Sequence, residues 1–274
     1  MDARLQLRVQ RYGWDRASEV YDRAWSQPLE PAQNALLEMA ALQPGDEVLE
    51  VACGSGLVTV RAAEAVGPSG RVVATDLSEG MLERAREALA PALADRVTFE
   101  RRDAEALGLH DEDFDVAIAS LGLMYVPNPD AALREMARVL RPGGRVVASV
   151  WGERSACGWA EVFPIVDARV RTAVCPLFFQ LGTGEALRDA MARAGLDRLA
   201  ERRIRTTLHF PTAEAALEAA FVGGPVAMAY SRFEAEIREA VQREYLESIE
   251  PFHTADGYRI PGEFVVVSGR RATP

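Results

Sequence analysis

From residue 45 onward, short apolar runs alternate with amphipathic stretches, and this alternation constrains the fold more than any other feature. "DEVLEVA" (46–52), "RVVATD" (71–76), "VTFERRD" (97–103), "FDVAIAS" (114–120) and "RVVASVW" (145–151) have the length and composition of strands. Between them, "LVTVRAAEAV" (57–66) has helical spacing. Ser78 caps a second helix, "SEGMLERAREAL", apolar at Met81, Leu82, Ala85 and Leu89. "DAALREMARVL" (130–140) predicts a third, with Asn128 or Asp130 near its start and Pro142-Gly143-Gly144 as its stop. Strands and helices alternating at this spacing predict an α/β fold, a Rossmann-like, doubly wound, mostly parallel sheet. Right-handed crossovers then put ligands at the carboxyl ends of the strands.

Beyond residue 151 the pattern loosens. "GWAEVFPIVDARVRTAV" (158–174) reads as a helix bent or interrupted by Pro164, and "GEALRDAMARAGL" (184–196) as an amphipathic helix ending near Gly195. "RLAERRIRTTLHF" (198–210) reads as strand six and "GEFVVVSGRR" (262–271) as a final antiparallel strand. The roughly fifty residues between them are too many for a hairpin loop. Two helical stretches there, "TAEAALEAAFV" (212–222) and "SRFEAEIREAVQREYLESI" (231–249), predict a helical insertion or cap over one end of the sheet.

The first predicted strand breaks off into Gly54-Ser55-Gly56. Glycine lets a ligand approach the backbone closely, and the helix that follows turns its free N–H groups toward the same space. Asp76 ends the second strand twenty residues after Gly56, where a carboxylate can accept both hydroxyls of a ribose. Turn and acid together point to an adenosine-bearing cofactor. In the dinucleotide fingerprint a third glycine would follow, and Thr59 stands there instead, which disfavours NAD.

Composition removes other classes. None of the 31 basic residues is lysine, so a Walker A loop, a kinase-type lysine and a Schiff base to pyridoxal phosphate are all excluded. Cys53, Cys157 and Cys175 share no CxxC spacing, and His110, His209 and His253 lie far apart, so no metal site is expected. A net charge of −10 without a basic block argues against nucleic acid as a partner. No apolar run approaches the ~18 residues of a membrane span, and the charged N-terminus has no signal core, so a cytoplasmic protein is expected.

"VLEVACGSG", "ATDLS", "RRDAEAL" and "FDVAIASLGLMYVPNPDAALREMARVLRPGGRVVASVW" resemble, in order and spacing, the motifs of class I S-adenosylmethionine-dependent methyltransferases. The likeness is greatest to the ubiquinone and menaquinone biosynthesis branch (methyltransferase type 11) and covers roughly residues 10 to 151. It implies that Glu50, Ala52, Gly54, Ser55 and Gly56 surround the methionine moiety of S-adenosylmethionine. Asp76 matches the ribose acid, Leu77 packs on the adenine, and Asp103 and Ala104 meet its edge. Ser120 and Leu121 wall the sulfonium, and Met81 joins the cofactor-contacting set. Ala52 stands where the family has glycine, although alanine does not readily adopt a positive φ.

The resemblance also implies an organisation. Residues 1–44 form a helical lid, 45–151 the cofactor-binding core, and 152–274 the rest of the sheet with an acceptor-side cap, all in one compact domain. Tyr21 and Trp25, one helical turn apart in the lid, either face the sulfonium, where an aromatic ring gains ~0.5–2 kcal/mol, or pack the helix onto the domain. On the acceptor side Met124, Tyr125, Trp151 and Glu153 follow strands four and five. Tyr125 and His253 are candidate catalytic residues, with Tyr258 near His253. The implied reaction is in-line methyl transfer to a small, apolar or aromatic organic acceptor at O, C, N or S. An arsenite- or thiol-type methyltransferase using Cys157 and Cys175, and a non-catalytic S-adenosylmethionine-binding protein, are the alternatives. A homodimer is left open.

Overall fold

The five apolar runs up to residue 151 pair side by side in one direction. The computed structural model describes residues 3–171 and 174–273. In it β1 (Glu47–Val51), β2 (Arg71–Asp76), β3 (Val97–Arg101), β4 (Phe114–Ser120) and β5 (Leu140–Trp151) are all parallel. The sheet order is β3-β2-β1-β4-β5-β8-β6, where β8 (Gly257–Arg271) runs antiparallel between β5 and β6 (Leu196–Phe210). The chain leaves β1 in one direction, then returns to start β4 on β1's other side. That reversal opens a crevice at the carboxyl ends of β1 and β4.

Both faces of the sheet's centre are covered, which is why β1, β2 and β4 are buried almost throughout. On β4, Val116 and Ile118 join one core with Val58, Ala62 and Val66 of α3 (Leu57–Val66). Ala117 and Ala119 point the other way, into the core with Leu133 and Met136 of α5 (Pro129–Arg138). The expected caps are present. Ser78 accepts from the Met81 N–H at the start of α4 (Glu79–Ala88), and Asn128 from the Ala131 N–H at the start of α5. Two long helices precede the sheet, α1 (Ala3–Ala17) and α2 (Tyr21–Ala40).

Three expectations are corrected. The Pro142-Gly143-Gly144 stop does not end the helix. α5 ends at Arg138, and the three residues lie inside β5, where Leu140 pairs with Phe114 and Arg145 with Val116. They are the extra length of a bulge, which Gly143 accommodates at a φ of +80°. The helix expected over 158–174 shrinks to α6 (Val162–Asp167), and residues 172 and 173 lie outside the described set. Pro164 sits in the first turn, where its missing N–H costs nothing. A helix extending back through Ala160 would clash with its ring. The last strand starts at Gly257, not 262, because it pairs with β6 along nearly its whole length and with the short β7 (His253–Thr254) at its start.

α7 (Ala186–Arg193) leads into β6. Between β6 and β7 stand α8 (Ala213–Phe221), α9 (Ala227–Tyr230) and α10 (Ala235–Ile249). α8 packs on α2, and α9 on α1, so the C-terminal insertion touches the N-terminal helices.

Candidate functional site

A cavity of about 980 Å³, including its mouth, lies over the carboxyl ends of β1, β2 and β4. Its floor is a turn in left-handed conformations: Ala52 at φ +55°, Gly54 at +58° and Gly56 at +87°. The two glycines serve different ends. A Cβ on Gly54 would meet nothing within 4 Å, so this backbone borders open space. A Cβ on Gly56 would come 3.1 Å from Ala85 Cβ, so this glycine lets α3 close on α4 and lies outside the cavity lining.

Ala52 takes the positive φ that its side chain disfavours, at a cost of about 1–2 kcal/mol. Its methyl has also fixed its neighbour, since a Cβ on Gly122 would fall 2.4 Å from Ala52 Cβ. Leu121, before that glycine, is also left-handed at φ +57° and is tied down by its N–H donating to the Ser149 carbonyl at 2.9 Å. The wall expected at Ser120 and Leu121 therefore consists of a strained strand end on β4 facing a strained strand end on β1, and both residues line the cavity.

Asp76 lines the cavity, and its two carboxylate oxygens accept from the Gly54 N–H at 2.9 Å and the Ser78 N–H at 2.8 Å. Burial raises its pKa, the backbone donors oppose that, and the Asp15 charge adds to it. A carboxylate has about four acceptor sites, so Asp76 can accept a further bond. Glu50 is fully buried beneath the turn and accepts from the Thr59 hydroxyl at 2.6 Å. Burial, with the Asp76 charge adding and the Thr59 bond opposing, pushes its pKa up to about 8. Thr59, read from sequence only as a missing glycine, is the partner that lets an acid be buried there. Leu77, Met81, Asp103, Ala104 and Ser55 also line the cavity.

The N-terminal helices close its mouth. Asp15 accepts from the Ser78 hydroxyl at 2.6 Å and the Gly80 N–H at 3.1 Å, and Asp22 accepts from the Ser55 hydroxyl. Trp14 and Tyr21 line the cavity and stack edge to face, with Trp14 also edge-on to Tyr125 at 4.9 Å between centroids. Sequence reading missed Asp15, Asp22 and Trp14, because only the docked helices bring them to the glycine turn. Burial raises the phenol pKa of Tyr21 and of Tyr125 above its usual value, so both stay protonated at neutral pH.

Trp25 does not line this cavity. Its ring sits 6.2–6.3 Å from those of Trp151, Trp159 and Phe210, and borders a smaller neighbouring compartment with Met124 and Trp151. His253 lines neither space. Its half-exposed ring stacks on Tyr258, and Nδ1 lies 3.6 Å from Glu250. Glu153 borders a groove on another side, with Arg203 and Glu263. No group of three or more potential metal ligands converges among the described residues.

Residues 48–144 match a family described as a methyltransferase domain. The ubiquinone/menaquinone biosynthesis C-methyltransferase UbiE of Pseudomonas paraeruginosa (strain DSM 24068 / PA7) is 30% identical over 182 residues, 60% of this chain and 70% of that protein. The chain belongs to the S-adenosylmethionine-dependent methyltransferase family. The UbiE protein of Ectopseudomonas mendocina (strain ymp) is 41% identical over 112 residues, 40% of this chain. That match spans 44% of its length, less than half. The fold of this methyltransferase-family chain is shared with a phosphoethanolamine N-methyltransferase of Haemonchus contortus. The TM-score is 0.59 at 15% identity, over 94% of this chain and 58% of the other. No helix among the described residues is long and apolar enough to cross a membrane.

Proposed function

We propose that this chain transfers the methyl group of S-adenosylmethionine to a small, apolar or aromatic organic acceptor at O, C, N or S. The observation that carries the reading is the cavity over the β1–β4 reversal, where Gly54 borders open space and the Asp76 carboxylate faces the lining. The residues present fit the cofactor. Asp76 would hold the ribose hydroxyls, with Leu77 and Met81 against the adenine and Asp103 and Ala104 at its edge. Glu50, Ala52, Gly54 and Ser55 would surround the amino-acid end with its ammonium group, with Gly56 closing the turn behind them. Ser120, Leu121 and Tyr21 would wall the sulfonium.

The cofactor, when bound, supplies a methyl group already attached to a good leaving group. The chain then has to align the acceptor and exclude water, which is worth ~7–11 kcal/mol of barrier for well-oriented reactants. Residues 1–44 act as the lid in this reading, fastened by Asp15 and Asp22. Tyr125 positions and donates; its raised pKa suits it poorly to a base's role. His253 does not line the cavity and is not given a role. A thiol-based reaction finds no support. Burial pushes the Cys157 and Cys175 thiols up to about 12, and Cys175 accepts from the Gln10 amide at 3.3 Å.

Thermal unfolding with S-adenosylmethionine, S-adenosylhomocysteine, NAD and NADP tests the reading. Stabilisation by the two sulfur compounds alone is expected. Stabilisation by NAD alone, or by none of the four, would overturn it.

A further inference from the structure

Five side chains that line the main cavity are both polar and buried: Gln10, Gln33, Glu50, Ser55 and Thr75. Four of them are bonded within the protein. Glu50 accepts from Thr59, Ser55 donates to Asp22, Thr75 donates to the Glu50 carbonyl at 3.1 Å, and Gln10 donates to Cys175 Sγ at 3.3 Å. Gln33 is the exception. Its amide has no hydrogen-bond partner among the described residues, although the residue is only 7% exposed. The unpartnered polar atoms that are closed off from solvent belong to Arg11, Trp25, Trp159 and Glu201, and the Gln33 amide is not among them. What exposure it keeps is to the cavity it lines.

Gln33 lies on α2 one turn after Leu29, which also lines the cavity. The next residue, Asn34, accepts from the Arg61 guanidinium at 2.7 Å and fixes α2 beside α3, and α2 packs on β4 as well. Gln33 therefore stands at the end of the cavity made by the glycine turn and by Leu57 and Val58, the first residues of α3. Its neighbours on the buried face of α2, Leu29, Ala32 and Leu36, are apolar. A leucine in its place would fill the space without ordering a long polar side chain or burying an unmet amide. Among the described residues the one basic side chain in the lining is Arg102, just past β3 and two strands from β1. It is committed to Glu100 and to the Leu107 carbonyl. An anionic group brought to the glycine turn thus meets no free cation. Its donors are neutral: the N–H groups at the start of α3, whose dipole favours an anion, and the Gln33 amide.

We propose that Gln33 donates its amide N–H to the carboxylate at the amino-acid end of S-adenosylmethionine, and that this bond makes the site discriminate against adenosine thioethers that lack the carboxylate. The inference rests on the methyltransferase reading and adds a binding residue to it. The amino-acid end is a zwitterion. Its ammonium group has a carboxylate to meet in Glu50, whereas its own carboxylate has no cation. Buried without a donor, that carboxylate would lose its hydration uncompensated. An amide N–H donating to it makes a charge-assisted bond, roughly twice as strong as a neutral one. Glutamine supplies the donor without setting a second positive charge beside the ammonium group, which an arginine or lysine at the same place would repel.

The test is a calorimetric titration of the full chain with S-adenosylhomocysteine, with its decarboxylated form, and with methylthioadenosine, which lacks the whole amino-acid end. Wild type is compared with Q33M, which keeps the length of the side chain but not its amide. Q33M should weaken S-adenosylhomocysteine binding about tenfold, ~1.4 kcal/mol, and leave the other two compounds bound as in wild type. An equal loss on all three, or no loss on any, would overturn the proposal. A second measurement needs no variant to fold. With glutamine side-chain nitrogens labelled in wild type, S-adenosylhomocysteine should move one amide pair downfield that the decarboxylated compound leaves in place. Absence of such a pair would also overturn the proposal. Methylthioadenosine bound as tightly as S-adenosylhomocysteine by wild type would remove this inference alone, with the adenosine site intact. Failure of all three compounds to bind would remove the methyltransferase reading, and the inference with it.

Discussion

Two buried or half-buried carboxylates, Glu50 and Asp76, define what the cavity asks of a ligand. Asp76→Ala removes a charged acceptor and should weaken S-adenosylhomocysteine binding by roughly 1.5–3 kcal/mol in a calorimetric titration, with the sheet intact. Glu50 behaves differently, because burial lifts its pKa from 4.5 to about 8. In the ligand-free fold, its contribution to stability is fully present below its unfolded pKa and is lost as pH rises toward 8. A cation beside it favours the carboxylate. S-adenosylhomocysteine binding near pH 7 should therefore release protons, read as a dependence of binding heat on buffer ionisation enthalpy. E50Q should abolish that release. Ala52 is the third informative residue. Ala52→Gly relieves the left-handed strain but adds freedom to the unfolded chain, so a gain of up to about 1 kcal/mol in denaturant unfolding is expected.

At the level of elements, the N-terminal helices are held by side chains whose partners lie on other elements. Asp15, at the end of α1, accepts two hydrogen bonds at the start of α4, and Asp22, at the start of α2, accepts one from the glycine turn. Their strength is modest, about 0.5–1.5 kcal/mol net for each bond, which suits the lid role proposed for residues 1–44. Asp15→Ala should speed amide exchange throughout α1 while leaving β1 and β4 protected. A uniform rise in exchange across the sheet would show that α1 is part of the cooperative core. The sequence made the helices themselves legible, since Ser78 and Asn128 cap where expected and 57–66 is helical from end to end. It did not reveal the docking, because an aspartate that caps another helix looks like any surface aspartate.

On the scale of the molecule, the chain divides by how its parts find their partners. Among the first five strands, β1–β2, β2–β3 and β4–β5 are consecutive and only β1–β4 spans a reversal, whereas β8 inserts between β5 and β6 after a helical excursion. The aromatic compartment draws on α2, β5, residue 159, residue 178 and the Gly224-Pro225 turn. A ligand in the cofactor cavity contacts β1, β2, β4 and the N-terminal helices together, so binding should stabilise the whole fold. S-adenosylhomocysteine at a hundred times its dissociation constant adds ~2.7 kcal/mol, a rise of roughly 5–10 °C in Tm for a chain of this size.

The sequence by itself determined the parallel sheet, the glycine turn at its reversal point and the positions of Glu50, Asp76 and Asp103, because each follows from local periodicity and from motifs a few residues long. It also determined that Ala52 departs from glycine, though not that the methyl would be accommodated by Gly122, seventy residues on. Only the tertiary structure decided that Trp25 joins an aromatic cluster outside the main cavity, that His253 pairs with Tyr258 away from both cavities, and that Pro142–Gly144 bulges a strand instead of stopping a helix. Those outcomes depend on which distant surfaces meet. A helix records which of its faces is apolar but not what that face will bury, and of two aromatics one turn apart only Tyr21 therefore reaches the main cavity.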